Sequence, residues 1–104
     1  MTRGDVYRIR LPTGRGHEQR GRRHVVIVQA DALLGLSTAV VAPTSRNAAP
    51  ATFRPEIVVA GENTRVLVEQ LRAVDIGRLD EQVAHLTSME VRALDEALEL
   101  VLGL

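Results

Sequence analysis

The 104-residue sequence predicts a mainly β protein, a small antiparallel barrel with one helix packed against it. Two observations support this prediction. Short alternating or β-branched segments, separated by turns rich in Gly, Pro and Asn, recur along residues 4–86. Residues 87–102 instead repeat apolar side chains at helical spacing. At this length we expect a single domain that spans residues 1–104.

The first two strands flank a charged loop. Residues 4–11 alternate polar and apolar side chains, which is typical of a half-buried strand. Residues 12–21 are predicted as a loop from their Gly and Pro content. Residues 22–29 are predicted as the second strand, because the apolar run at 25–28 suits a strand buried on both faces.

The remaining β elements follow from the same signals. The predicted elements are a connector at 30–35, a third strand at 37–42 ended by Pro43, a fourth strand at 54–60, a turn at 61–63, a fifth strand at 65–74, a turn or 3₁₀ element at 75–79 and a sixth strand at 81–86.

The C-terminal segment gives the clearest helix signal. Thr87 and Glu90 are spaced as a capping box, in which the two side chains satisfy each other's backbone amides. Apolar residues then recur at steps of three and four, and Gly103 ends the helix. We expect the apolar stripe to pack on the barrel.

Composition excludes several kinds of site. There are no cysteines, so disulfides, thiolate metal sites and a cysteine nucleophile are excluded. The three histidines lack metal-ligand spacing, so no metal site is predicted. No apolar run approaches the ~20 residues of a membrane helix, and the N-terminal residues do not resemble a signal peptide. We therefore expect a cytoplasmic protein without a membrane partner.

Charge is distributed unevenly although the formal net charge is zero. All 13 basic residues are arginine, and they are concentrated toward the N-terminus, whereas the C-terminal segment is acidic. This asymmetry is consistent with a polyanion site on one side of the molecule. Exclusive use of arginine can equally reflect genomic base composition.

Four sequence blocks, taken in order, resemble the MazF/PemK-type (Kid-like) toxins of bacterial type II toxin–antitoxin pairs. The resemblance covers nearly the whole chain. The blocks are residues 3–7 (RGDVY), residues 16–19 (GHEQ) followed by Gly21 and Arg23, residues 42–45 (APTS) and residues 69–75 (EQLRAVD).

The resemblance implies a fold and an activity. The fold would be an SH3-like barrel that forms a homodimer. The activity would be sequence-specific cleavage of single-stranded RNA without a metal or other cofactor. In this family the 2′-hydroxyl attacks the phosphate and leaves a 2′,3′-cyclic phosphate. The partner would be a small cognate antitoxin that covers the RNA groove. Whether the target is mRNA, rRNA or tRNA stays open.

Arg23 and Thr44 are the predicted catalytic residues. A guanidinium stays charged and matches the oxygens of a phosphorane, which suits Arg23. Thr44 follows a proline at a predicted strand end, where its hydroxyl could bond the same phosphate. The competing interpretations are an arginine that holds its own loop through Glu18 and a threonine that caps its own backbone.

Eight further residues are predicted to assist or to bind the substrate. His17 could transfer a proton or stack on a base. The others are Glu18, Gln19, Ser45, Gln70, Arg15, Arg20 and Arg22. His24 and His85 are predicted to be structural.

The sequence departs from the family pattern in two places. His24 follows the loop arginine, where the family usually has proline. Leu67 and Glu69 occupy positions where some relatives place a catalytic arginine and aspartate, so the chemistry would depend more on Arg23.

Two other functions remain open from the sequence. The same fold serves CcdB-type toxins, which poison DNA gyrase without cleaving nucleic acid. A degenerate family member could also act only by binding antitoxin. The cluster of charged and hydroxyl residues favours the ribonuclease.

Overall fold

The computed structural model describes residues 1–11 and 21–104. The described elements are seven strands and one α-helix: β1 (Asp5–Leu11), β2 (Gly21–Ile27), β3 (Thr38–Ser45), β4 (Glu56–Val59), β5 (Glu62–Val66), β6 (Arg72–Asp75), β7 (Leu79–His85) and α1 (Ser88–Leu102). Short 3₁₀ turns lie at Asp31–Leu33, Val68–Gln70 and Ile76–Arg78. The predicted mainly β fold with one C-terminal helix is confirmed.

The strands form one curled antiparallel sheet in the order β4-β5-β3-β2-β1-β7, with β6 paired to β3 beside this path. Strand β3 is the centre of the sheet because it pairs with three neighbours. It pairs with β2 on one edge, and with both β6 and β5 on the other. The sheet therefore curls around β3.

Strand β2 is buried on both faces, as its apolar run predicted. On one face Val26 lies between its register partners Val6 and Ala42, and all three are fully buried in the larger core under α1. On the other face Val25 packs with Ile9 in a second core. Each face of the central strands thus has its own apolar layer.

The helix begins at the predicted capping box. Thr87 accepts a hydrogen bond from the Glu90 amide at 3.2 Å, and the Glu90 carboxylate accepts one from the Thr87 amide at 2.9 Å. The second oxygen of Glu90 accepts a bond from the amide of Val58 at 2.9 Å, so the same residue also connects α1 to β4. Leu94 and Ala97 are buried against the sheet, and Gly103 ends the helix with φ of 70°.

Besides shifts of one or two residues at the ends of other strands, three predicted boundaries were wrong. Strand β3 does not stop before Pro43 but continues to Ser45. The turn predicted at 61–63 lies one residue earlier, at Ala60 and Gly61, and Glu62 already belongs to β5. The single strand predicted at 65–74 is divided into the end of β5, the 3₁₀ turn Val68–Gln70 and β6.

Within the described ranges, no helix has the length and apolarity to cross a membrane.

Candidate functional site

The sheet face that forms the larger core becomes polar toward one end of the central strands. Val6 of β1 and Val26 of β2 are register partners in this core. Two residues away along each strand, and on the same face of the sheet, Arg8 lies opposite His24. On β3 the next residue of this face is Thr44, whose hydroxyl donates a hydrogen bond to the His24 carbonyl at 3.2 Å. Three neighbouring strands thus place an arginine, a histidine and a threonine side by side.

These residues line an open pocket of about 480 Å³. Arg23 and His24 come from β2, and Thr44, Ser45 and Arg46 come from β3 and the residue after it. The hairpin of β4 and β5 forms another wall with Val59, Ala60, Glu62 and Thr64, and Arg8 of β1 completes the lining. Among the described residues the lining therefore includes three arginines and one glutamate.

Ion pairs fix two of the arginines. Arg8 lies 2.6 Å from a carboxylate oxygen of Glu81, and Arg46 pairs with Glu62 across the pocket. Both pairs are solvent-exposed, so each adds little to stability. Their effect is to hold guanidinium groups near the pocket, where an anionic ligand can compete for them.

The positive field acts on His24. Burial lowers the pKa of His24 below its usual 6.5, and the charges of Arg8 and Arg46 lower it further. The imidazole is therefore neutral near pH 7 and offers one ring nitrogen as a proton acceptor.

The structure brings together three of the predicted site residues, Arg23, Thr44 and Ser45. The Arg23 side chain is exposed, whereas Thr44 is only 5% exposed. Because side chains alternate along β2, the Arg23 side chain lies on the other face of the sheet from the His24 side chain. Arg23 therefore lines the pocket only at its edge.

Gln70 does not join them. Together with Glu69 and Arg72 it lines a separate depression of about 270 Å³. Glu69 accepts hydrogen bonds from the Arg54 guanidinium at 2.6 and 2.9 Å. Within the described chain Gln70 therefore lies apart from the pocket of Arg23 and Thr44, and its role in binding substrate stays a prediction.

Six predicted residues cannot be placed in this geometry. Arg15, His17, Glu18, Gln19 and Arg20 lie outside the described residues, as does the side chain of Arg22.

The sequence reasoning missed Arg8, Arg46 and Glu62, and it assigned His24 a structural role. Arg8 and His24 are sixteen positions apart and meet only through the register of β1 and β2. The one signal in the sequence was that His24 interrupts the usual arginine–proline pair of the family. His85, also predicted to be structural, lies away from this pocket, 2.6 Å from Asp5.

The fold and the pocket define a class of protein: a small curled β-barrel with a C-terminal helix and an arginine-lined pocket. The family of PemK-like, MazF-like toxins of type II toxin–antitoxin systems matches residues 2–102. The chain belongs to this family, and the resemblance predicted from the four sequence blocks is confirmed.

Individual relatives agree with this assignment. A candidate toxin of Mycobacterium tuberculosis (strain ATCC 25618 / H37Rv) is 40% identical over 100% of this chain and 99% of its own length. The endoribonuclease MazF of Staphylococcus saprophyticus is 35% identical over 100% of this chain and 92% of its own. The solved structure of a mycobacterial endoribonuclease in complex with its cognate antitoxin superimposes with a TM-score of 0.83 at 18% identity, covering 100% of this chain and 96% of that one.

Proposed function

We propose that the protein is the toxin of a type II toxin–antitoxin pair and acts as a metal-independent endoribonuclease in the cytoplasm. It would cut single-stranded RNA at a short sequence through attack by the 2′-hydroxyl, leaving a 2′,3′-cyclic phosphate and a 5′-hydroxyl. The observation that carries this proposal is a pocket, within the described residues, whose lining joins Arg23 and Thr44 to two further arginines.

The pocket meets the electrostatic requirement of this reaction. Attack of the 2′-oxygen on phosphorus concentrates negative charge on the non-bridging oxygens, and preorganised donors stabilise that charge. Arg23 is the proposed main donor because its guanidinium stays protonated at any working pH. Arg8 and Arg46 add positive potential at the same place.

Thr44 would donate a hydrogen bond to the phosphate only after its hydroxyl changes partner. Its hydroxyl has a single proton, which it gives to the His24 carbonyl at 3.2 Å. Donation to a phosphate oxygen requires the hydroxyl to rotate away from this carbonyl. The bond to the phosphate would therefore form when the anion enters, and Ser45 beside it supplies a second hydroxyl.

The remaining predicted residues would extend the RNA-binding surface. Single-stranded RNA fits the proposal because the nucleotide at the cut must unstack to align its 2′-hydroxyl with the departing oxygen. In this proposal the residues that bind the flanking nucleotides are Arg15, His17, Glu18, Gln19, Arg20, Arg22 and Gln70.

Two partners belong to the proposal. A second copy of the chain would form the homodimer, and a small cognate antitoxin would occlude the RNA surface. The antitoxin is supported by the mycobacterial endoribonuclease, whose structure was solved in complex with its cognate antitoxin.

The test is an RNA cleavage assay in EDTA with a long unstructured RNA. We expect discrete fragments with 5′-hydroxyl ends from the wild type and a large loss of cleavage in Arg23→Ala and Thr44→Ala. Arg78→Ala and Thr38→Ala are matched controls, because both residues are exposed and neither lines the pocket. Intact RNA with the wild type, across several sequences, would contradict the proposal, and gyrase supercoiling would then be the next assay.

A further inference from the structure

We propose that His24 is the general base of the reaction, taking the proton of the 2′-hydroxyl in the pocket that it shares with Thr44. This inference rests on the proposed ribonuclease function and names a residue that the family pattern does not supply, since the family usually has proline at this position.

Position is the first argument. His24 lies on the polar end of the sheet face that also carries Arg8 and Thr44, and its half-buried ring lines the pocket. The next residue of this face along β2, Val26, is fully buried in the larger core. The ring is therefore held at the floor of the pocket, on the same face as the hydroxyl of Thr44.

The surroundings keep the imidazole in the form that a base needs. The charged groups that face it are Arg8 from β1, Arg46 after β3, and Glu62 from β5, which pairs with Arg46. Arg23, the preceding residue of β2, has its side chain on the other face of the sheet. Burial and the charges of Arg8 and Arg46 lower its pKa. A neutral imidazole can accept a proton at neutral pH, whereas the guanidinium groups of Arg8 and Arg46 beside it cannot.

Substrate binding would then strengthen the base. A phosphodiester placed among the arginines carries a negative charge, which offsets the guanidinium field at the ring. Burial still disfavours protonation of the imidazole, but the positive field of the arginines no longer adds to this effect. The imidazolium that forms during the reaction is thereby stabilised beside the anionic phosphorane.

The proposed step conserves atoms and protons. The 2′-O–H bond breaks and its proton moves to a ring nitrogen of His24, while the 2′-oxygen forms a new bond to phosphorus. The bond between phosphorus and the 5′-oxygen breaks with its electron pair on oxygen. The imidazolium returns the proton through solvent to that 5′-oxygen, so the reaction takes up no net proton.

The experiment compares the pH dependence of kcat/KM for the wild type, His24→Gln and His24→Ala. For the wild type we expect an acidic limb with a midpoint below 6.5, because kcat/KM reports the pKa of the free enzyme. Both variants should lose about 10²- to 10⁴-fold in kcat/KM near neutral pH and should lose this limb. Added imidazole should restore part of the activity of His24→Ala, which a purely structural role would not allow.

Two other histidines provide matched controls. His85→Gln changes a histidine that lies away from the pocket, and we expect it to keep both the rate and the acidic limb. His17→Gln tests the other histidine proposed to contact RNA, and the acidic limb should remain in it. Circular dichroism and a thermal melt of each variant identify those that are folded before rates are compared.

The outcomes separate this inference from the function on which it rests. A folded His24→Gln that cleaves RNA as fast as the wild type, with the same acidic limb, would overturn the role of His24 and leave the ribonuclease proposal standing. Loss of the limb in His17→Gln would likewise overturn it. A wild type that cleaves no RNA would reject the ribonuclease proposal itself, and the role of His24 with it.

Discussion

The hydroxyl of Thr44 donates a hydrogen bond to the backbone carbonyl of His24 at 3.2 Å, which ties β3 to β2 at the floor of the pocket. One bond thus connects the predicted catalytic hydroxyl to the residue that we propose as base. The first prediction follows from the need for this hydroxyl to change partners when a phosphate binds.

We expect Thr44→Val to lower kcat/KM for RNA cleavage by about 10²- to 10³-fold, the usual effect of removing one donor to a developing oxyanion. Valine matches the shape of threonine but lacks the hydroxyl proton. Thr44→Ser keeps the hydroxyl and should stay within about tenfold of the wild type. Equal activity of the valine and serine variants, measured with a fluorogenic RNA, would show that the hydroxyl does not act on the phosphate.

The arginines of the pocket predict a salt-dependent affinity for RNA. Each phosphate that a single-stranded RNA places against a basic side chain contributes about −0.7 to the slope of log K against log salt. Arg8→Ala and Arg46→Ala should each make this slope less steep by about 0.7, the contribution of one phosphate contact. The measurement is a fluorescence-anisotropy titration at several salt concentrations with an RNA that carries 2′-deoxy nucleotides and cannot be cut. Arg78→Ala serves as the control, and a slope that is unchanged in the two pocket variants would place their guanidinium groups outside the RNA contact.

The buried carboxylate of Asp5 predicts a pH dependence of stability. Asp5 is 4% exposed and accepts bonds from Gln82 at 3.1 Å, from His85 at 2.6 Å and from the amide and hydroxyl of Thr2 at 2.8 and 3.2 Å. Burial works to raise the pKa of Asp5, but the bonds from Thr2 and His85 outweigh it and the pKa lies below its usual 3.8. The stabilisation is therefore present above the unfolded-state pKa and is lost as the pH falls through the folded-state pKa.

Replacing this carboxylate should be costly. We expect Asp5→Asn to lower the free energy of unfolding at pH 7 by about 1–3 kcal/mol, because a hydrogen-bond donor that now bonds the Asp5 carboxylate would lose its charged acceptor in a buried environment. The urea denaturation curves of the variant should also depend less on pH below 5 than those of the wild type. Asp95→Asn is the control, since the Asp95 side chain is 47% exposed and its ion pair with Arg3 should contribute at most about 1 kcal/mol. A smaller effect at Asp5 than at Asp95 would contradict this account.

The β4–β5 hairpin offers a stabilising substitution. Ala60 and Gly61 form its two-residue turn, with φ of 52° and 79°, between the register partners Val59 and Glu62. Positive φ at both positions is the pattern of a type I′ turn, which favours Asn at the first position because alanine is strained there. Ala60→Asn should raise the free energy of unfolding by about 0.5–1 kcal/mol in urea denaturation, and Ala60→Val should lower it. The opposite order of the two variants would exclude backbone strain at this position.

The sequence predicted the elements that depend on local signals. The capping box at Thr87 and Glu90 and the doubly buried strand β2 were both found where their patterns placed them. The end of β3 was missed because proline usually interrupts a central strand. Pro43 is tolerated because the partner along one edge of β3 changes here, from β6 before Pro43 to β5 after it. The Pro43 carbonyl accepts a hydrogen bond from the Leu67 amide at 2.8 Å.

The candidate site was predicted in part for a related reason. Arg23, Thr44 and Ser45 could be named because they lie within short motifs of the family. Arg8 lies outside those motifs and reaches the pocket only through the register of β1 with β2. The strand predicted around Gln70 was wrong because the apolar residues before it read as one continuous strand, whereas the chain turns at Val68–Gln70. Long-range pairing, which no local pattern encodes, decided the position of Arg8.

The threefold pairing of β3 has a consequence for motion. An edge strand can detach by breaking one ladder, but β3 separates only if its ladders with β2, β5 and β6 break together. Its central amides should therefore exchange with deuterium only through global unfolding, whereas those of the β4–β5 hairpin should exchange through local opening. Since Thr44 belongs to β3, the pocket has a rigid floor, and adjustment to a ligand falls to the hairpin wall and to side chains.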